Sequence, residues 1–249
     1  MKDRESAWTD SAKAAVTRFN PGPSRRRQWV ANFSAAASRG LIMRLNNLEI
    51  SNIDRLREAR RLQRPGHGLL TFSNHAALFD DPWLTACIGS HKYPEMRWVA
   101  VDAENFFGTS MKARFFNMGK AVPIVRGAGL DQPGMDFLIE RLKLGDWVHV
   151  FPEGTRSREP DSRLRRPLKP GLAHMVKRAE PLLLGFHHRG MHEVLPIGGR
   201  FPRFGKTVSV RFGKVVDSKD GLVNEDTSGI TDWVEAELLS LEAESFGEA

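Results

Sequence analysis

The sequence predicts a single α/β domain: a mainly parallel, twisted sheet flanked by helices. Six short apolar runs read as buried strands: GLLTFS (68–73), RWVAV (97–101), KAVPIV (120–125), DWVHVF (146–151), PLLLGF (181–186) and TVSVRF (207–212). Helical patterns separate most of them, and strands alternating with helices imply parallel neighbours covered on both faces. The 249 residues carry no internal repeat and no long low-complexity linker, so one domain with a sizeable core is the economical reading.

In chain order, residues 1–28 are polar and basic and end in NPGPSRRR, which predicts a mobile or loosely docked arm. Residues 29–64 predict two helices close to a membrane. In the first, 29–48, Val30, Phe33, Ala37, Leu41, Leu45 and Leu48 share about a third of the circumference. Arg25, Arg26 and Arg27 precede this stripe, a pattern suited to a membrane-interface helix with Trp29, Phe33 and Leu41 as lipid contacts. Packing on the protein's own core fits the same stripe, because Arg44 intrudes on it and Gly40 weakens the helix. The second helix, 52–63, has Asn52 or Ser51 as its cap.

Residues 65–216 hold all six strands. Their clearest helix is PGMDFLIERLKLG, where Pro133 suits the first turn. Met135, Leu138, Ile139 and Leu142 share a face, and Gly145 suits the C-terminal cap. Residues 217–249 form an acidic tail with a helix at 229–242.

Charge is distributed unevenly. Residues 1–64 hold 14 basic against 6 acidic side chains, residues 65–216 hold 22 against 14, and residues 217–249 hold 1 against 10. A basic body with an acidic tail points to an anionic partner (nucleic acid, phospholipid headgroups or a phosphorylated substrate) or to a solvated surface shielded by its own tail. Mean hydropathy is −0.38, and no run reaches the ~18 apolar residues that span a bilayer. Without a secretory apolar core, and with Asp3, Glu5 and Asp10 near the start, neither a signal nor a transit peptide is expected. The lone Cys87 excludes an intrachain disulfide and suits a reducing compartment. The protein is expected to be soluble or to lie on a membrane surface.

Candidate chemistry starts at FSNHAALFDDPW (72–83). Pro82 suits a first helical turn and Asp81 its N-cap, so Asn74 to Asp80 connects a strand end to a helix start. His75 and Asp80 are five residues apart, about 140° around a regular helix, but a turn lets them converge. A carboxylate on one imidazole nitrogen fixes the tautomer and leaves the other to accept a hydroxyl proton. The same residues also fit a helix cap beside an incidental histidine. Two further strand ends bear on the choice: GKAVPIVRG presents Arg126, and HVFPEGTRS presents Glu153 beside Gly154. A basic loop follows, with Arg156, Arg158, Arg163, Arg165, Arg166 and Lys169, a rim suited to phosphate.

The order N-H-x4-D, G-x-x-x-P-I-x-R and F-P-E-G-T-R-S resembles the glycerolipid acyltransferase superfamily, which includes the 1-acylglycerol-3-phosphate acyltransferases. SNHAALFDDP, MGKAVPIVRG, GMDFLIERLKLGDWVHVFPEG, GMHEVLP and FPRFGKTVSVRFGK look most like its tafazzin branch of phospholipid–lysophospholipid transacylases. The likeness spans roughly residues 41–216.

It implies His75 as base, Asp80 as its orienting partner, and Asn74, Arg126, Glu153, Gly154, Thr155 and Arg156 as acceptor-binding residues. It also implies phospholipid and lysophospholipid substrates without metal or redox cofactor. The enzyme would sit peripherally on an anionic membrane, at the cytoplasmic face if bacterial and on a mitochondrial membrane if eukaryotic. Thr155-Arg156-Ser157 departs from that branch towards acyltransferases that use a thioester donor. An acyl-CoA-dependent enzyme and a non-catalytic basic module therefore stand as alternatives.

Other features carry less. His188 and His192 in HHRGMHE are spaced as on a helix, but Gly190 argues against one there, so no metal is expected. Cys87 reads as a small core residue. No G-x-S-x-G elbow, P-loop or nucleic-acid motif is present. NFFGTSMKARFF suits an acyl-chain groove or interfacial surface, or plain packing.

Overall fold

The computed structural model describes residues 8–22, 24–90, 92–199 and 201–248. Seven strands form one sheet: β1 (Asn47–Ser51), β2 (Leu69–Ser73), β3 (Trp98–Asp102), β4 (Ala121–Ile124), β5 (Trp147–Val150), β6 (Leu182–Arg189) and β7 (Thr207–Asp217). Their order across the sheet is β1-β7-β6-β2-β5-β3-β4. Every pair is parallel except β6 with β7. The C-terminal ends of β6, β2, β5, β3 and β4 therefore share one edge, where loops carry chemistry in open α/β sheets.

All six predicted strands are present. β6 and β7 run further than expected because each pairs with the other along most of its length.

The helices in chain order are α1 (Asp10–Thr17), α2 (Arg25–Leu45), α3 (Ile53–Leu62), α4 (Thr85–Ile88), α5 (Ala103–Phe107) and α6 (Ser110–Met118). After them come α7 (Pro133–Lys143), α8 (Gly171–Ala179), α9 (Met191–Val194) and α10 (Thr227–Phe246). The period-2 alternation of β2 explains the two layers: Leu70 and Phe72 meet α7, α8 and α10, while Leu69 joins the cluster on the other face with Leu56 and Ala59 of α3 and with Cys87. On α7 the predicted stripe of Met135, Leu138, Ile139 and Leu142 is buried in the first layer. Gly145 follows its cap with φ +89°, and a Cβ there would lie 2.6 Å from the Arg64 carbonyl.

Cys87 is buried and its thiol is pushed up to about 11 by burial. N-ethylmaleimide at pH 8 is expected to label the folded protein at least about 100-fold more slowly than the unfolded chain. Comparable rates would place the thiol outside the core.

Three expectations change at the N-terminal side. The part of the arm around Arg18 and Phe19 is docked, while residues 1–7 lie outside the described residues: Phe19 packs edge-on against Phe107 and Phe137, and Arg18 donates to the Phe107 and Gly108 carbonyls. The predicted 29–48 helix ends at Leu45, because Asn47 begins a strand in register with Thr207. This long-range pairing overrides the local helical period. Around Pro82 the chain makes a π turn, Asp80–Leu84, before α4, and Asp81 pairs with Arg97 instead of capping a helix.

The outward face of α2 is the aromatic one. Ala31, with Ala35 beside it, packs on Tyr93 and Met96, whereas Trp29 and Phe33 stack on each other at 67% and 62% exposure. Leu41 lies on this helix, with its side chain outside the described residues. Among the described residues no helix is long and apolar enough to cross a membrane.

Candidate active site

His75 and Asp80 converge as the turn reading requires. His75 leaves the end of β2, and the π turn brings Asp80 back so that His75 Nδ1 meets Asp80 Oδ2 at 2.9 Å. The same oxygen accepts from the backbone N–H groups of Ala76 at 2.6 Å and Ala77 at 2.8 Å. Asp80 is 1% exposed. Burial alone would raise its pKa, but His188 (Nε2 3.6 Å from Oδ2), His75 and the Ala77 N–H outweigh burial and hold it below the ordinary carboxylate value. The ionised carboxylate makes Nδ1 the protonated nitrogen and leaves Nε2 to take a proton. Phe151 stacks under the imidazole, centroids 4.1 Å apart, and sets its plane.

A depressed carboxylate pKa gives stability that is full above the unfolded value and lost as pH falls through the folded one. Asp80 should therefore contribute fully above about pH 4 and progressively less below. Thermal melts between pH 5 and 2.5 should show a shallower acid decline for Asp80→Asn than for the parent. Parallel declines would remove Asp80 from the acid-labile set.

The loop after β5 grips the backbone of His75 on both sides. Glu153 Oε1 accepts from the His75 N–H at 2.6 Å, Oε2 accepts from the Arg165 N–H at 2.9 Å, and the Ser157 N–H donates to the His75 carbonyl at 2.7 Å. Glu153 is 2% exposed, and burial pushes its pKa up to about 8 against those two donors. Its carboxyl group thereby joins two loops, a structural contact in addition to the acceptor binding that the resemblance implies. Asn74 makes a structural contact of the same kind. It is fully buried, and its amide exchanges hydrogen bonds with the His188 backbone at 2.9 and 3.0 Å, cross-linking the ends of β2 and β6.

Gly154 turns at φ +70°, and Thr155 and Arg156 stand half-buried beyond it. The basic rim divides in two. Arg163 bridges Glu242 and Glu248, and Arg166 faces Glu235, all on or next to α10. Arg156, Arg158, Arg165 and Lys169 form no ion pair among the described residues.

Arg126 follows β4, three strands from β2, which is about 14 Å across the sheet. Its Nε donates to Asp102 Oδ2 at 2.9 Å, while the side chain stays 56% exposed. It lines a cavity of about 480 Å³ with Thr9, Asp102, Glu104 and Val125, and His75 is not among the lining residues.

The histidine cluster after β6 diverges. His188 faces Asp80 and Asn74, His187 faces Glu242 at 3.7 Å, and His192 lies on α9. Burial pushes His188 down to about 4, so it is a neutral packing partner of the dyad. Among the described residues no group of three His, Cys, Asp or Glu side chains is placed to hold a metal ion.

The motifs contain Phe151, Ser157 and His188 but not their manner of acting: Phe151 stacks on the His75 ring, Ser157 N–H bonds the His75 carbonyl and His188 faces Asp80, whereas Asp102, which holds Arg126, lies in none of the motifs. Asp102 still carried a local signal, an N-cap position at a strand–helix junction, where its Oδ1 accepts from Asn105 N.

The profile of the family described as Acyltransferase matches residues 47–197, more than half of the chain. The chain belongs to the acyltransferase family. Its curated relatives include the tafazzin of Drosophila melanogaster, 31% identical over 204 residues, covering 79% of this chain and 53% of the relative. The N-acylphosphatidylethanolamine synthase of Arabidopsis thaliana is 35% identical over 156 residues, 61% of this chain and 54% of the relative. The chain thus spans about half the length of these acyltransferase relatives. In structure it is similar to the 1-acyl-sn-glycerophosphate acyltransferase PlsC from Thermotoga maritima, with a TM-score of 0.60 over 92% of this chain and 86% of that one. At 19% identity the likeness shows a shared acyltransferase fold.

Proposed function

We propose that this protein moves a fatty acyl chain from a phospholipid to the hydroxyl of a lysophospholipid, without a CoA thioester, in phospholipid remodelling. The observation that carries the reading is the 2.9 Å His75–Asp80 contact, with Nδ1 committed and Nε2 left over. Nε2 takes the acceptor hydroxyl proton as the oxygen attacks the donor ester carbonyl, and Asp80 stabilises the resulting imidazolium. Nε2–H then returns the proton to the departing lysophospholipid oxygen, so no cofactor enters the balance. Arg126 and the unpaired arginines of the 156–165 rim orient phosphate groups. The tafazzin relatives support the choice of donor. The outward Trp29–Phe33 pair supports seating on an anionic membrane surface, with Leu41 further along the same helix.

A second reading, acyl-CoA-dependent acylation of 1-acylglycerol-3-phosphate, is favoured by Thr155-Arg156-Ser157. Purified protein given labelled phosphatidylcholine and a lysophospholipid, with no thioester, separates the two. Label on the lysophospholipid supports transacylation, and strict thioester dependence supports the second reading.

A further inference from the structure

Among the described residues, the loop between β6 and β7 exposes three large apolar side chains: Ile197, Phe201 at 81% and Phe204 at 53%. No acidic residue lies in the segment LPIGGRFPRFGK (195–206), and Arg203 forms no ion pair among the described residues. α2 has the same composition: five arginines, no acidic residue and an outward aromatic pair. The two segments are physically continuous. Gly205 N–H donates to the Leu45 carbonyl at 2.7 Å and Lys206 N–H to Asn46 Oδ1 at 3.1 Å, so the loop is fastened to the C-terminal end of α2.

Topology places this junction. β6 is parallel to β2, so the loop leaves the sheet at the edge that carries His75. β1 and β7 run the other way and begin there, which brings the end of α2 to the same edge. Leu78, three residues past His75, is also exposed on that edge. Trp29 and Leu45 are about 24 Å apart along the helix axis. A helix standing upright on a bilayer would touch it at one end, whereas this one carries apolar contacts at both.

We propose that the 195–206 loop is a second lipid-contacting element. Together with Trp29 and Phe33 it lays α2 flat on an anionic bilayer and turns the His75 edge of the sheet towards the headgroups. The occupant is a membrane surface: phenylalanines enter the interface while arginines meet lipid phosphates. The proposal rests on the membrane seating given above, but it is tested without any acyl donor, so its failure and that of transacylation can be told apart.

The test is sedimentation with vesicles of phosphatidylcholine containing phosphatidylglycerol. Phe201→Ser with Phe204→Ser should weaken binding at least about tenfold and leave the thermal melt unchanged, since both rings already face solvent. Trp29→Ser with Phe33→Ser should weaken it comparably. A Phe201→Cys variant carrying a polarity-sensitive dye should shift its emission to the blue on adding vesicles, with buried Cys87 leaving position 201 as the labelled site. The proposal is overturned if the parent fails to sediment, if the loop variant binds within about twofold of it, or if the dye shows no shift. Binding lost only in the Trp29/Phe33 variant would leave α2 as the sole anchor.

Discussion

Replacing His75 with alanine should lower acyl transfer by about 10²–10⁴-fold, the range removed with a positioned general base. That corresponds to roughly 3–5.5 kcal/mol of transition-state stabilisation. The fold should hold, because the ring lies at the rim, is part-exposed, and donates one side-chain hydrogen bond. The backbone bonds from Glu153 and Ser157 do not depend on the side chain. Measured as kcat with saturating lipid, beside a thermal melt, the variant should be inactive and folded. Activity within a few-fold of the parent would remove His75 from the proton-transfer role.

Asp80→Asn isolates the charge. An amide oxygen in the place of Oδ2 can still accept from Ala76, Ala77 and His75, so the turn persists, but nothing then balances an imidazolium. A loss of about 10²–10⁴ in kcat is expected, after the behaviour of triads that lose their carboxylate. Asp80→Ala does more harm. It leaves the Ala76 and Ala77 N–H groups buried without an acceptor, at about 1–3 kcal/mol each, so melting temperature should fall with activity. Asn and Ala variants that lose activity and stability together would make Asp80 a structural residue alone.

Much of this was legible beforehand because it is local. The β2, β5 and β6 strands sit at the sheet's centre, buried on both faces, so their runs of Leu, Val and Phe announce them without any partner. Pro133 and Gly145 bracket α7 for the same reason. β1 could not be read this way: NLEIS follows a helical stripe without interruption, and only its pairing with β7, some 160 residues on, makes it a strand.

At the site, the His75–Asp80 pair was readable because its two members lie within one turn. Glu153 was readable as important but not in its manner of acting, since its partners are the backbones of residues 75 and 165. The basic rim looked uniform in sequence. Only the packing of α10 shows that Arg163 and Arg166 are already neutralised.

The grip of Glu153 and Ser157 on the main chain of His75 has a consequence for how such an enzyme can diversify. The base of the His75 ring and the loop after β5 are welded into one piece, so any change that tilts the loop's base also misaims the ring. Under the proposed function, the exposed Arg158 and Arg165 beyond the weld are the positions where lipid preference can change with least disturbance to the ring.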